Sequence, residues 1–133
     1  MKGRRITVLL CENSAWKAWI DAAGQGPDAA KRLEGLDPVK LPCTGKVEEG
    51  MVLKLLENGS AGVLVLGCPK DNCTYVRGNY RAEKRIASVR AALREAGLDD
   101  GLVRLDFLSS LDSRKLLDIA AEFRASVLEG VRQ

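Results

Sequence analysis

Histidine is absent from the 133 residues. No imidazole can therefore serve as metal ligand, general base or switch near neutral pH. Aromatic residues make up only 5% of the chain, too few for base-stacking platforms. Neither sign of charge dominates. The balance is 21 basic against 18 acidic residues, net +3, which falls short of a nucleic-acid footprint. No apolar run approaches the roughly 18 residues of a membrane-spanning helix. The opening MKGRRITVLLCENS is basic, but its apolar stretch is short for a secretory signal. The expectation is a cytoplasmic chain that engages neither nucleic acid nor membrane. Phosphate-binding and dinucleotide fingerprints are also missing. In GCPKDNC, Pro69 stands where a phosphate cradle needs a backbone N–H. No nucleophile–base pair is visible, so an enzyme acting alone is not expected.

What the chain does have is four cysteines, Cys11, Cys43, Cys68 and Cys73. In a cytoplasmic chain thiols point to metal or redox chemistry before structural disulfides. The length suits one domain, residues 1–133. Four short apolar segments read as strands: Arg5–Leu10, Val39–Pro42, Ala61–Gly67 and Leu102–Leu108. The first and third are almost entirely apolar, as strands buried on both faces must be. Helical periodicity separates them. Val47, Met51, Val52, Leu55 and Leu56 share one face, with Gly59 as terminator. Ala82, Ile86, Val89 and Leu93 repeat at helical spacing before Gly97. Leu116, Ala120, Phe123 and Val127 do so near the C-terminus, with Ser110 or Asp112 as N-cap. A further helix is expected over about Ser14–Ala23, broken at GQGP. Strands alternating with helices predict an α/β domain with a mostly parallel four-stranded sheet and helices on both faces, a flavodoxin- or Rossmann-like three-layer arrangement.

On this reading Cys11, Cys43 and Cys68 each follow a strand, and Cys73 lies on the loop just beyond the third. In a parallel sheet those ends share one edge, where ligands gather. The separations are 31, 24 and four residues. Four thiolates suit zinc or an iron–sulfur cluster. Only the last pair has a spacing near that of zinc knuckles, and a four-residue gap also occurs in 2Fe–2S ligation. Spacing leaves both open. A third reading takes Cys11 as a nucleophile in a loop of the phosphatase or arsenate-reductase type. Such a loop needs an arginine six positions on, and Lys17 stands there without the bidentate fork. Four unrelated core cysteines are the bland alternative.

Three segments carry a resemblance: CTGKVEEGMVLKLLENGSAGVLVLGC, then CPKDNCTYVRGNYRAEKR, then VRLDFLSSLDSRKLLDIAAEF. In that order they resemble the delta subunit of methyl-viologen-reducing hydrogenase. That resemblance implies a 2Fe–2S electron carrier without bond chemistry of its own. It implies as partners the A-type flavoprotein of heterodisulfide reductase and a hydrogenase or other electron-input subunit. Cys11, Cys43, Cys68 and Cys73 match the family's cysteines and are the implied cluster ligands. Ser14 stands where the family usually has another cysteine, and Pro69 and Thr74 replace histidines.

Around these ligands, Thr44, Gly45 and Lys46 are expected to open the next helix with their N–H groups toward the edge. Arg81 and Lys84 are read as a solvated helix face, and the run that includes Arg85 could also meet a negative cluster or an acidic partner. Trp16 and Trp19 are read as core, or as shields for the site.

Overall fold

The computed structural model describes residues 5–42, 47–67 and 78–132. Among these residues, regular elements run in the order β1 (Ile6–Cys11), α1 (Ala15–Ala23), α2 (Pro27–Arg32), β2 (Leu36–Leu41), α3 (Glu49–Glu57), β3 (Gly62–Gly67), α4 (Gly78–Glu95), β4 (Val103–Phe107) and α5 (Ser113–Arg132), with a 3-10 turn at Asp100–Leu102 before β4. The four strands form one sheet in the order β2-β1-β3-β4, parallel throughout. The expected fold class is the observed one.

Strand position explains strand composition. β1 and β3 are central and buried at every residue, which is why ITVLLC and GVLVLG carry no charge. β2 and β4 are the edges, and LDPVKL and VRLDF hold charges that discourage further pairing. The core is split by the sheet. Ile6, Val8, Leu10, Leu64 and Leu66 pack beneath α1, α2 and α5, against Ala18, Trp19 and Phe123 among others. Leu9, Val63 and Val65 face the other way, against Val52 of α3 and Ile86, Val89 and Leu93 of α4. Period-two alternation thus feeds both layers from the same strands.

Some element bounds differ from the sequence expectation. β1 includes Cys11 instead of stopping at Leu10. β2 runs Leu36–Leu41 instead of Val39–Pro42. Pro38 reads as a strand breaker, but an edge strand uses only one row of its N–H groups, so a proline is tolerated there. The GQGP break is followed by a six-residue helix, with Pro27 at its first position. α3 starts at Glu49, later than the opening at Thr44 that the sequence suggested. Thr44, Gly45 and Lys46 themselves lie outside the described residues. Val47 precedes the helix and is still fully buried. Gly59 and Gly97 end α3 and α4 as expected, at φ +107° and +78°. The N–H of the residue after each reaches back over the last turn, Ser60 to Leu55 at 3.0 Å and Leu98 to Leu93 at 2.8 Å.

Asp112 precedes α5, and its backbone carbonyl accepts from Leu116 N–H at 2.9 Å. Its carboxylate turns back and accepts from Ser109 N–H at 2.9 Å. That backbone bond is the main reason its pKa lies below the ordinary value; the Ser109 hydroxyl and Lys115 push the same way, against partial desolvation. A carboxyl with a lowered folded pKa stabilises the fold above its unfolded value of about 3.9. That contribution is lost as the pH falls through the folded value. Urea melts of wild type and Asp112→Asn should therefore differ at pH 7 and converge as the pH falls below the unfolded value of about 3.9. A difference that stayed constant with pH would remove the charged carboxylate from the account.

Candidate metal centre

The sheet changes winding direction at β1. The chain leaves β1 for α1 on one face, and leaves β2 and β3 for α3 and α4 on the other. In parallel sheets the carboxyl ends beside such a reversal form the ligand crevice, here between β1 and β3. The register sets the strand ends level. Cys11 lies opposite Leu41, and Leu10 lies opposite Leu66, so Gly67 comes next to the same edge. Gly67 is followed directly by Cys68, and Leu41 precedes Cys43 by two residues. Cys43, Cys68 and Cys73 lie outside the described residues.

Cys11 is the one cysteine whose surroundings are described. It is free and 1% exposed. Alternation along β1 puts it on the same side as Leu9, toward α3 and α4. Both connections that carry the other cysteines lead to that same pair of helices. Among the described residues no three cysteine or carboxylate side chains converge as a metal site.

Beyond Cys11 the chain turns sharply, with Ser14 N–H donating to the Cys11 carbonyl at 3.2 Å. Ser14 is the N-cap residue of α1, and its own carbonyl accepts from Ala18 N–H at 3.1 Å. Its hydroxyl does not perform the usual capping role. Ser14 is 4% exposed, and its Oγ is buried without a hydrogen-bond partner. The first turn of α1 also contains no acidic residue to answer its N–H groups. Among the described residues no side chain caps the first turn of α1 or meets the Ser14 hydroxyl.

The cations on α4 have separate roles. Arg81 and Lys84 are solvent-exposed, as the solvated-face reading expects. Arg85 is half-buried and donates from Nη1 to the Val47 carbonyl at 2.8 Å. It thereby ties α4 to the stretch that leads into α3. Arg94 and Arg90 pair with Asp100 at 2.7 and 3.7 Å, on the far side of α4 from its N-terminus. Trp19 is in the core beneath α5. Trp16 is half-buried against that core, and the Lys40 ammonium lies 5.5 Å from its ring centroid. Lys17, six positions after Cys11, is exposed to solvent. A surface groove of about 610 Å³ lies elsewhere, between α2 and α5, lined by Asp28, Arg32, Arg124 and Leu128 among others. It is shallow and holds no thiol.

The Arg85 bond and the unanswered Ser14 hydroxyl were not legible in the sequence. Arg85 and Val47 are 38 residues apart, and nothing in residue type marks a serine whose hydroxyl finds no acceptor.

Residues 6–129 match the family described as "Methyl-viologen-reducing hydrogenase, delta subunit". The chain belongs to that family. Among its delta-subunit relatives, the iron–sulfur D protein of the F420-non-reducing hydrogenase of Archaeoglobus profundus is 36% identical over 89 residues. That match covers 67% of this chain and 65% of the relative, just under two-thirds of its length. The corresponding vhu iron–sulfur protein of the F420-non-reducing hydrogenase of Methanopyrus kandleri is 29% identical over 129 residues, 97% of this chain and 96% of its own. The A-type chain of the ferredoxin:CoB-CoM heterodisulfide reductase of Methanosarcina mazei is 32% identical over 118 residues. There the match covers 89% of this chain but only 14% of the larger protein. The delta-subunit sequence therefore occurs both as a small chain and as a short section of a much longer one. No helix among the described residues is long and apolar enough to cross a membrane.

Proposed function

We propose that this chain is an electron-transfer subunit whose Cys11, Cys43, Cys68 and Cys73 hold a 2Fe–2S cluster at the carboxyl edge of the sheet. The observation that carries this reading is Cys11. It is a buried free thiol on the last residue of β1, level with the strand ends that run into the other three cysteines. The relatives named as iron–sulfur subunits support the cofactor class. Thiolate is the right donor for iron–sulfur centres, and four cysteines suffice for one cluster.

Bound there, the cluster would accept and release one electron at a time. The protein's part is to fix the ligands on a rigid sheet edge, to restrict water at the β1 end and to present the site beside its crevice. The donor is an oxidoreductase module, a hydrogenase or a similar electron-input subunit. The acceptor is a heterodisulfide-reductase A-type flavoprotein. That pairing is supported by the relative in which a similar sequence, 32% identical, lies within the A-type chain of a heterodisulfide reductase.

A zinc-stabilised interaction module on the same fold is the second reading, since four thiolates also satisfy zinc. A Cys11-based thiol enzyme has less support, because the thiol is 1% exposed and Lys17 is solvent-exposed. Purification without oxygen separates the three. The expected product is red-brown, with iron and acid-labile sulfide in equal amounts and a visible absorption that dithionite bleaches. A colourless protein holding stoichiometric zinc would move the assignment to the second reading. Hydrolysis of an aryl phosphate by metal-free protein, lost in Cys11→Ser, would move it to the third.

A further inference from the structure

The inner face of α1 belongs to the core, where Ala15, Ala18, Trp19 and Ala22 are buried. Its outer face is apolar too. Trp16 is half-buried, and Ile20, one turn on, is 55% exposed. Residues four apart share a helix face, so the two form one row. β2 lies beside that row, because the Lys40 ammonium stands 5.5 Å from the Trp16 ring centroid. Leu36 packs in the layer beneath α1, and alternation puts Pro38 and Lys40 on that same side of the sheet. α1 runs back from the carboxyl edge while β2 runs toward it. Trp16 to Ile20 is a descent of about 6 Å along the helix, and Lys40 to Pro38 is a similar descent along the strand. Pro38 and Lys40 are both exposed. Trp16 with Lys40 and Ile20 with Pro38 are thus two rungs of one strip at the β2 border of the sheet. Single exposed apolar side chains are ordinary on a protein surface. This strip differs in running across two elements, in holding a tryptophan and in starting beside the candidate centre, since Trp16 lies in the first turn of α1, just after Cys11.

The charges beside the upper rung are positive. Lys17 and Lys40 are exposed, and neither forms an ion pair among the described residues. Nearby acids are engaged elsewhere. Asp21 accepts from Gln25 at 3.2 Å, and Asp37, on the opposite face of β2, pairs with Arg5 at 2.6 Å. A strand of another chain does not fit this border. Ile6 N–H donates to the Gly35 carbonyl and Glu12 N–H to the Leu41 carbonyl, so the odd-numbered residues of β2 bond toward β1. Pro38 falls in the outward row and has no N–H to give there. Whatever covers the strip does so with side chains, apolar at the centre and acidic beside the lysines. We infer that the strip of Trp16, Ile20, Pro38 and Lys40 is the docking face for the electron-exchanging flavoprotein, whose matching surface carries carboxylates around an apolar centre. This rests on the partner proposed above. Trp16 is the anchor, held in place by its contact with the core. Lys17 and Lys40 steer the encounter and set its orientation.

The test measures binding kinetics between the full chain and the A-type flavoprotein of its own organism, both purified without oxygen. The variants are Ile20→Asp, Lys40→Glu and, as a matched control, Leu98→Asp. Leu98 is also 55% exposed but follows α4 at the opposite edge of the sheet. Trp16 is left intact because it also packs the core. All three positions are exposed, so melting temperature and iron content should stay at wild-type values. Ile20→Asp should weaken binding at least about tenfold, chiefly through faster dissociation. Lys40→Glu should slow association by about three- to tenfold and flatten its dependence on salt. Leu98→Asp should bind like wild type. Wild-type binding by both Ile20→Asp and Lys40→Glu would overturn the inference and leave the partner standing. Loss of binding in Leu98→Asp alone would overturn it by moving the interface to the other edge. A wild-type dimer that Ile20→Asp dissociates would overturn it by giving the strip to a second copy. Wild-type protein that does not bind the flavoprotein would instead remove the partner itself, and the inference with it.

Discussion

Replacing Cys11 with alanine is expected to lower the iron content of oxygen-protected protein by at least about tenfold while the chain stays folded. That range follows metal-ligand and ligand-orienting positions generally. Cys11 is 1% exposed on a central strand, so the substitution also removes some packing. A buried free cysteine behaves as a small apolar side chain, and truncating it costs about 1–2 kcal/mol, at the low end of large-to-small core changes. Alanine is the better probe than serine here, because a buried serine hydroxyl adds a desolvation penalty unrelated to ligation. The two effects separate experimentally. Metal-free wild type and metal-free Cys11→Ala should melt within a few degrees of each other, whereas only the wild type should reconstitute with iron and sulfide. Full iron in Cys11→Ala would return Cys11 to the core. Cys43→Ala, Cys68→Ala and Cys73→Ala should match the iron loss if all four thiols bind one centre.

The second large effect concerns the scaffold. Gly62 opens β3, opposite Ile6 of β1, under the C-terminal half of α5. A Cβ at this position would stand 3.0 Å from Val127 Cγ2, 3.1 Å from Phe123 Cζ and 3.1 Å from the Leu102 backbone oxygen. Two of these neighbours are side chains buried in the core, and the third is backbone that cannot rotate away. Gly62→Val should therefore destabilise the protein by about 2–3 kcal/mol, through overpacking, and Gly62→Ala by less. Adding Val127→Ala should recover part of the loss, because it relieves one of the three contacts, and a double-mutant cycle would show that coupling. The Leu102 contact should remain. If Gly62→Val melts like wild type, α5 does not press on β3 as closely as described.

Neighbouring residues account for how much of this was readable from the chain. Val8, Leu9 and Leu10 in β1 and Val63 to Leu66 in β3 are unmistakable, because central parallel strands must be apolar on both faces. β2 was partly missed, because Asp37 and Pro38 look like a turn. On an edge, where one side of the strand meets solvent, both are acceptable. The short helix Pro27–Arg32 is below the length that local propensity can sustain. It persists because Ala29 and the adjoining Leu33 reach the core beneath α1 and α5. At the candidate site, the order of the cysteines along the chain was enough to suggest one edge of the sheet. The levelling of Cys11 with Leu41 and Gly67 is a property of strand register, which no spacing of cysteines contains. Ser14 shows the other limit. Its residue type fits an ordinary N-cap, and only the three-dimensional arrangement shows a hydroxyl that caps nothing.

The central claim is that thiols from separate strand ends bind one inorganic centre, and anomalous diffraction at the iron edge tests it most directly. Crystals of protein kept from oxygen should show iron density at the carboxyl edge of the sheet, within bonding distance of the sulfurs of Cys11, Cys43, Cys68 and Cys73. An iron-free edge with the Cys11 sulfur packed only against carbon would contradict it.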